Sequence, residues 1–226
     1  MATGRAPVET IHLPDGGLEQ DPHQIWEATK SACQTALAAS AVDRSHVVGI
    51  ICSSQYSSIV PVDTSGQPTM NLILWLDQRG DKPLLRKCDG FPRRVDTPLQ
   101  MLRWVRIHGM PPLGEGSESL SHMRWVKYAR PDIYSRTDKF LEPMDYLILR
   151  FTGRAAANQS TMFMSLLVDN RRLNVTEYDP QLVAQSLVDH EKLPELLPLD
   201  ATVGSLQSDV ADELGLSPDT VVLTGL

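Results

Sequence analysis

No stretch of this chain approaches the roughly 20 consecutive apolar residues that a membrane-spanning helix needs, and it contains no internal repeat or low-complexity tract. The opening Met1-Ala2-Thr3-Gly4-Arg5 has no apolar signal core. Cysteine is scarce: Cys33, Cys52 and Cys88 are odd in number and far apart. Without a secretion signal they read as free thiols in a reducing cytoplasm, and the glycosylation-type triplets at Asn158 and Asn174 read as chance. An excess of positive charge is also lacking. Lys and Arg number 21 against 28 Asp and Glu, a formal net charge of -7, which argues against nucleic acid or an anionic membrane as partner. The 6 His residues are scattered, with no helical i, i+4 pair near a carboxylate, so no protein-built metal site is expected. There is no Gly-x-Ser-x-Gly, Walker A or dinucleotide fingerprint. The serines at 53–58 have no partner His nearby in sequence, which disfavours a nucleophilic Ser.

What is present is an ordinary globular composition, 42% apolar and 22% charged, in 226 residues. That is enough for one large domain or two small ones. Residues 5–13 can form a strand, with Pro7 placing it at an edge or a strand start, and Pro14-Asp15-Gly16-Gly17 is a turn. Asp21 caps a helix that Pro22 opens and that runs to about Ser40, with Trp26, Cys33, Ala36 and Leu37 along one side. Val47 to Cys52 is an unbroken apolar run rich in β-branched residues, which predicts a strand buried on both faces. It stops at Ser53-Ser54-Gln55-Tyr56-Ser57-Ser58. A second run, Ile59 to Val62, meets a turn at Asp63-Thr64-Ser65-Gly66, and a third, Leu72 to Leu76, delivers Asp77 and Arg79. In an open α/β sheet, polar clusters at strand ends are where ligands bind. Gly80 to Asp96 reads as a loop holding a short helix. Further helices are predicted from Thr97-Pro98 to about His108, over Ser119–Arg130, from Pro143 to a Gly153 cap, from Pro180 to about Asp189 and over Ser208–Leu214. Thr220 to Thr224 reads as a strand.

The ordered set of these motifs resembles the N-terminal domain of the FGGY carbohydrate kinases, the group of xylulokinase, gluconokinase and glycerol kinase. The carriers are Ser53-x-Gln55, Val62-Asp63-x-x-Gly66-x-Pro68 and Ile73-Leu74-Trp75-x-Asp77-x-Arg79. Leu18-Glu19-Gln20-Asp21-Pro22 with Trp26, Arg136 to Leu141 with Asp145-Tyr146-Leu147 and Thr152-Gly153, and Gly204 through Gly225 agree in the same order. The resemblance implies an α/β fold of the actin-like ATPase (ribonuclease-H-like) type, a mixed sheet flanked by helices. Residues 1–226 would be the sugar-binding domain, incomplete at both ends: the family's opening hairpin, with its Asp-x-Gly-Thr phosphate turn, and its C-terminal ATP-binding domain are absent. The implied activity is ATP-dependent phosphorylation of a sugar or polyol hydroxyl. ATP and Mg would serve the full-length enzyme and none would be held by this chain alone. The catalytic Asp is expected beyond Leu226, so no residue here is expected to be catalytic. The implied partners are a small sugar or polyol and the missing kinase domain, and the resemblance allows a homodimer in the full-length form. A non-catalytic sugar-binding or interaction module, and an unrelated α/β protein with chance matches, remain the other two readings.

The same resemblance marks Gln55, Tyr56, Ser57, Asp77, Arg79 and Asn158 as substrate-binding. Gln55 offers both donors and an acceptor to a polyhydroxyl ligand. Xylulokinase-like members carry His at the position of Ser57, which leaves the sugar open. Asp77 and Arg79 point the same way if their segment is extended, and could both face a ligand hydroxyl; otherwise they are a surface ion pair. Asp145, at a helix start, reads as a structural partner of the helix dipole. Asn158 falls where many members have Asp. Met162, Phe163 and Met164, bulky where the family has small residues, either reshape the pocket or belong to the core. Without the opening hairpin, the Val47–Cys52 strand would have an open edge, and the chain is expected to self-associate.

Overall fold

The computed structural model describes residues 1–88 and 97–225. In chain order the elements are β1 (Ile11–His12), β2 (Leu18–Gln20), α1 (Pro22–Ala39), β3 (Gly49–Ile50), β4 (Val60–Val62), β5 (Leu72–Ile73), α2 (Lys82–Cys88) and α3 (Pro98–Ile107). There follow α4 (Ser119–Ala129), α5 (Pro131–Arg136), β6 (Lys139–Leu141), α6 (Pro143–Thr152), β7 (Ala156–Asn158), α7 (Pro180–Ser186), β8 (Glu195–Leu197), β9 (Thr202–Ser205), α8 (Ser208–Leu214) and β10 (Val221–Leu223). The second half of the loop expected over Gly80–Asp96 lies outside the described residues; its first half is the helix α2.

The helix starts follow local chemistry. Asp21 accepts from His23 N, and Pro22 takes the first position of α1, where no amide hydrogen is needed. Thr97 caps α3 by accepting from Gln100 N, and Asp179 caps α7 through Gln181 N and Leu182 N. Gly153 ends α6 at φ 77°, a left-handed turn that costs glycine little.

The strands form short ladders, antiparallel in β1-β2-β5 and β4-β6 and parallel in β7-β8. In β3-β10-β9, β10 runs parallel to β3 and antiparallel to β9. An Ile59–Ile73 bridge continues the run that contains β4 onto β5. The sheet is therefore mixed, as expected, but broken into pieces of two or three strands. Leu18–Gln20, read from sequence as the lead-in to a helix, is the central strand of its ladder.

One expectation fails. The Val47–Cys52 run is not covered on both faces: only Gly49 and Ile50 pair, with β10 alone among the described residues, and Val48 and Ile51 are 75% and 50% exposed. Apolar composition matched a two-sided strand, but the described packing buries only Cys52 of this run fully. The core sits elsewhere. Trp104 of α3, Leu120 and Met123 of α4, Phe140 of β6 and Leu166–Val168 form one cluster. Trp26 packs edge-on to Phe151 at 5.0 Å in a second, which also takes Ile148 and Val222. Each large side chain so buried contributes about 1.5–3 kcal/mol. Trp104 meets its polar obligation by donating from Nε1 to Leu166 O at 2.9 Å. Met162 belongs to this core, which settles its two readings.

Candidate functional site

The 53–58 loop leaves the end of β3 and crosses to the run that contains β4. Its turn is tight: Ser57 has φ 61°, in the left-handed region that non-glycine residues rarely adopt. Ser57 Oγ donates to Ser117 O at 2.7 Å, Ser58 N donates to Glu142 Oε2 at 3.1 Å, and Trp75 N donates to Ser58 Oγ at 3.1 Å. The Ser57 hydroxyl is thus committed to the protein. Gln55 is half-buried and donates from Nε2 to Gln20 Oε1 at 2.8 Å, and its side-chain oxygen has no partner among the described residues. Tyr56 is 39% exposed and Trp75, tied to the same loop through Ser58, is 48% exposed. An amide acceptor and two aromatic rings are therefore presented at the strand ends.

Asp77 and Arg79 do not join them at the surface. Leu74–Asp77 closes a turn, Asp77 N donating to Leu74 O at 2.9 Å, so the alternation of an extended segment does not apply. Both side chains turn inward. Asp77 is fully buried; its Oδ2 accepts from Leu18 N and Arg79 Nε, each at 2.9 Å, and its Oδ1 from Arg79 N. Arg79 also donates to Glu19 Oε1 at 2.8 Å and stacks on Trp125, its Cζ lying 3.9 Å from the ring centroid. Burial alone would lower the Arg79 pKa, but the Asp77 and Glu19 carboxylates outweigh it and raise it. A Cβ on Gly17 would lie 2.5 Å from Arg79 Cζ, so the turn after β1 passes over this guanidinium with no room for a side chain. The pair braces β2 against the end of β5.

Asn158 is likewise buried. Its Oδ1 accepts from Ser160 N and Thr161 N, and its Nδ2 donates to Gly225 O at 2.7 Å. It ties the end of β7 to the end of β10. Gly225 is needed for the approach: an added Cβ would lie 2.9 Å from Met144 and 3.3 Å from Cys52 O. Beside this junction opens a cleft of about 440 Å³, bordered by Gln159, Ser160, Phe163, Asn170, Arg172 and Gly225.

Two carboxyls near the N-terminus of α6 were not singled out as site residues. Glu142 is fully buried, and burial, with the neighbouring Asp145 charge, holds its pKa well above the usual carboxylate range. Asp145 is fully buried too, neither oxygen makes a well-formed hydrogen bond among the described residues, and burial raises its pKa well above normal against the opposing pull of Thr161. The helix-dipole role read for Asp145 fits its position, but the sequence could not show the burial. A raised carboxyl pKa means the folded state keeps a proton that the unfolded chain releases above about pH 4. Their contribution is complete below that pH and is lost as pH rises through the raised values. Asp145→Asn is therefore expected to flatten the decline of stability with rising pH above about 4, measured by denaturant unfolding across pH. An unchanged slope would show that Asp145 is ionised in the fold.

No helix among the described residues is long and apolar enough to cross a membrane. The profile of the FGGY family of carbohydrate kinases, N-terminal domain, matches residues 1–226. The xylulose kinase of Staphylococcus epidermidis is 30% identical over 210 residues, covering 93% of this chain and 39% of that protein. The L-xylulose/3-keto-L-gulonate kinase of Escherichia coli is 26% identical over 226 residues, covering 98% and 42%. Among solved structures, the ligand-bound xylulose kinase from Lactobacillus acidophilus superposes with a TM-score of 0.80 at 19% identity, over 97% of this chain and 42% of that one. The xylulose kinase from Rhodospirillum rubrum gives 0.82 at 17% identity, over 98% and 43%. The chain thus spans about two-fifths of the length of the relatives it matches, and shares with them the actin-like ATPase fold. The match along all 226 residues places this chain in the FGGY family of carbohydrate kinases.

Proposed function

We propose that this chain is the sugar-binding part of an ATP-dependent kinase that phosphorylates a hydroxyl of a small sugar or polyol. The observation that carries the reading is the 53–58 loop. It sits at strand ends, presents a half-free amide at Gln55 and an exposed ring at Tyr56, and is anchored from beneath by buried hydrogen bonds. Amide groups match sugar hydroxyls as both donor and acceptor, and aromatic faces suit the C–H faces of a sugar ring. Gln55 and Tyr56 are the direct contacts in this reading. Ser57, Asp77 and Arg79 belong to the frame around them, and Asn158 ties β7 to the end of β10.

Kinases of this family use Mg-ATP, and in this reading none of the residues at hand is assigned to it. The role given to this chain is binding and orienting the acceptor, which is a large part of phosphoryl-transfer catalysis.

The test is calorimetric titration of the 226-residue chain with D-xylulose, L-xylulose, gluconate and glycerol. One of them is expected to bind, and Gln55→Ala is expected to weaken it about tenfold, near the 0.5–1.5 kcal/mol of one hydrogen bond. Equal affinity in the folded variant would remove Gln55 from the site. No binding of any of the four would remove the reading for this chain.

A further inference from the structure

Glu142 occupies a place for which fold stability alone gives a poor account. Its carboxyl is buried at the entrance to α6, and no described cation pairs with it. Burying a carboxyl without a cation is costly. Yet both of its oxygens are engaged: Oε2 accepts from Ser58 N at 3.1 Å, and Oε1 takes the hydroxyl of Ser119. It thereby joins three segments distant in sequence: the 57–58 turn, the first residue of α4 and the first turn of α6. The turn it holds contains Ser57 at φ 61°, a conformation that costs of order 1 kcal/mol and persists only where the surroundings impose it. Just before that turn Tyr56 is exposed and Gln55 half-buried, whereas Ser57 and Ser58 are buried. Behind Glu142 lies Asp145, also fully buried, so the bridge is built of carboxyl hydrogen bonding rather than of ion pairing.

We infer that Glu142 is a positioning residue, which sets the conformation of the 53–58 loop and so the placement of Gln55 and Tyr56. Its effect on ligand binding rests on the sugar-binding reading above; its effect on the loop does not.

The experiment is hydrogen exchange on the whole chain, read at peptides spanning 53–59 and compared with peptides of α3 and α6. Glu142→Ala removes both acceptors. Exchange at 53–59 is expected to speed up about tenfold or more, the signature of local opening, while the α3 peptides keep their protection. Glu142→Gln can still accept from Ser58 N and can donate to Ser119 Oγ, so it is expected to stay within about threefold of the parent. If Glu142→Ala does not fold, Ser119→Ala removes one arm of the bridge and is expected to loosen the same peptides by an intermediate factor. Unchanged exchange at 53–59 in a folded Glu142→Ala or Ser119→Ala chain would overturn the inference. So would a uniform increase across all peptides, or a Glu142→Gln chain as loose as Glu142→Ala. In parallel, the sugar that binds the parent chain should bind Glu142→Ala more weakly and Glu142→Gln nearly normally. Should no sugar bind the parent, the sugar-binding reading falls and the exchange result still decides the role of Glu142.

Discussion

Asp77→Ala is expected to cost about 3–5 kcal/mol of folding stability, the penalty for removing one partner of a buried ion pair. The change leaves Arg79 pressed on Trp125 with Glu19 as its remaining close acceptor and Asp15 at 3.6 Å on the exposed side. It also strips Leu18 N and Arg79 N of their acceptor, so β2 loses a tie to the end of β5. For a domain of this size, each kcal/mol moves Tm by about 2–4 °C, so the shift should be plain in a thermal or denaturant melt. Asp77→Asn keeps the shape and one carbonyl acceptor and should cost less. A drop of less than about 1 kcal/mol in Asp77→Ala would mean that Asp15 and Glu19 satisfy Arg79 by themselves. Intact stability together with lost sugar affinity would return Asp77 to the ligand-contact role first read from its sequence context.

The second large effect concerns association. β3 is an edge strand whose only described neighbour is β10, and Val48 and Ile51 stand out from it, 75% and 50% exposed. An unpaired edge with apolar side chains is a template for pairing with another chain. The 226-residue chain is expected to self-associate as concentration rises, seen as a concentration-dependent sedimentation coefficient. Val48→Lys combined with Ile51→Lys is expected to return it to monomer, since charges on an edge oppose pairing at little cost to exposed positions. A parent chain that stays monomeric and melts cooperatively would show that this edge is harmless.

Much of the architecture could be read from residues alone because its causes are local. Asp21-Pro22, Thr97-Pro98 and Asp179-Pro180 start helices by satisfying free amides, and Gly153 stops one by adopting a left-handed turn. The order of short motifs from Leu18 to Gly225 was enough to indicate the family, and so the fold. What a side chain faces was not legible. The resemblance marks Asp77 and Arg79 as ligand contacts, and an extended backbone would point them the same way; a turn at 74–77 instead sends both into a network with Glu19 and Trp125, one partner about 60 residues away in sequence. Ser57 is marked as substrate-binding by the resemblance, and its left-handed turn points its hydroxyl at Ser117. Val47–Cys52 was read as doubly buried because composition records hydrophobicity and not the layer that would cover it. Glu142 had no sequence signal, since a Glu before a Pro at a helix start is ordinary until long-range packing encloses it. Capping, turn chemistry and motif order depend on neighbours within a few residues, and the sequence determines them. Burial, hydrogen-bond partners and pKa depend on segments far apart in the chain, and only the tertiary structure decides them.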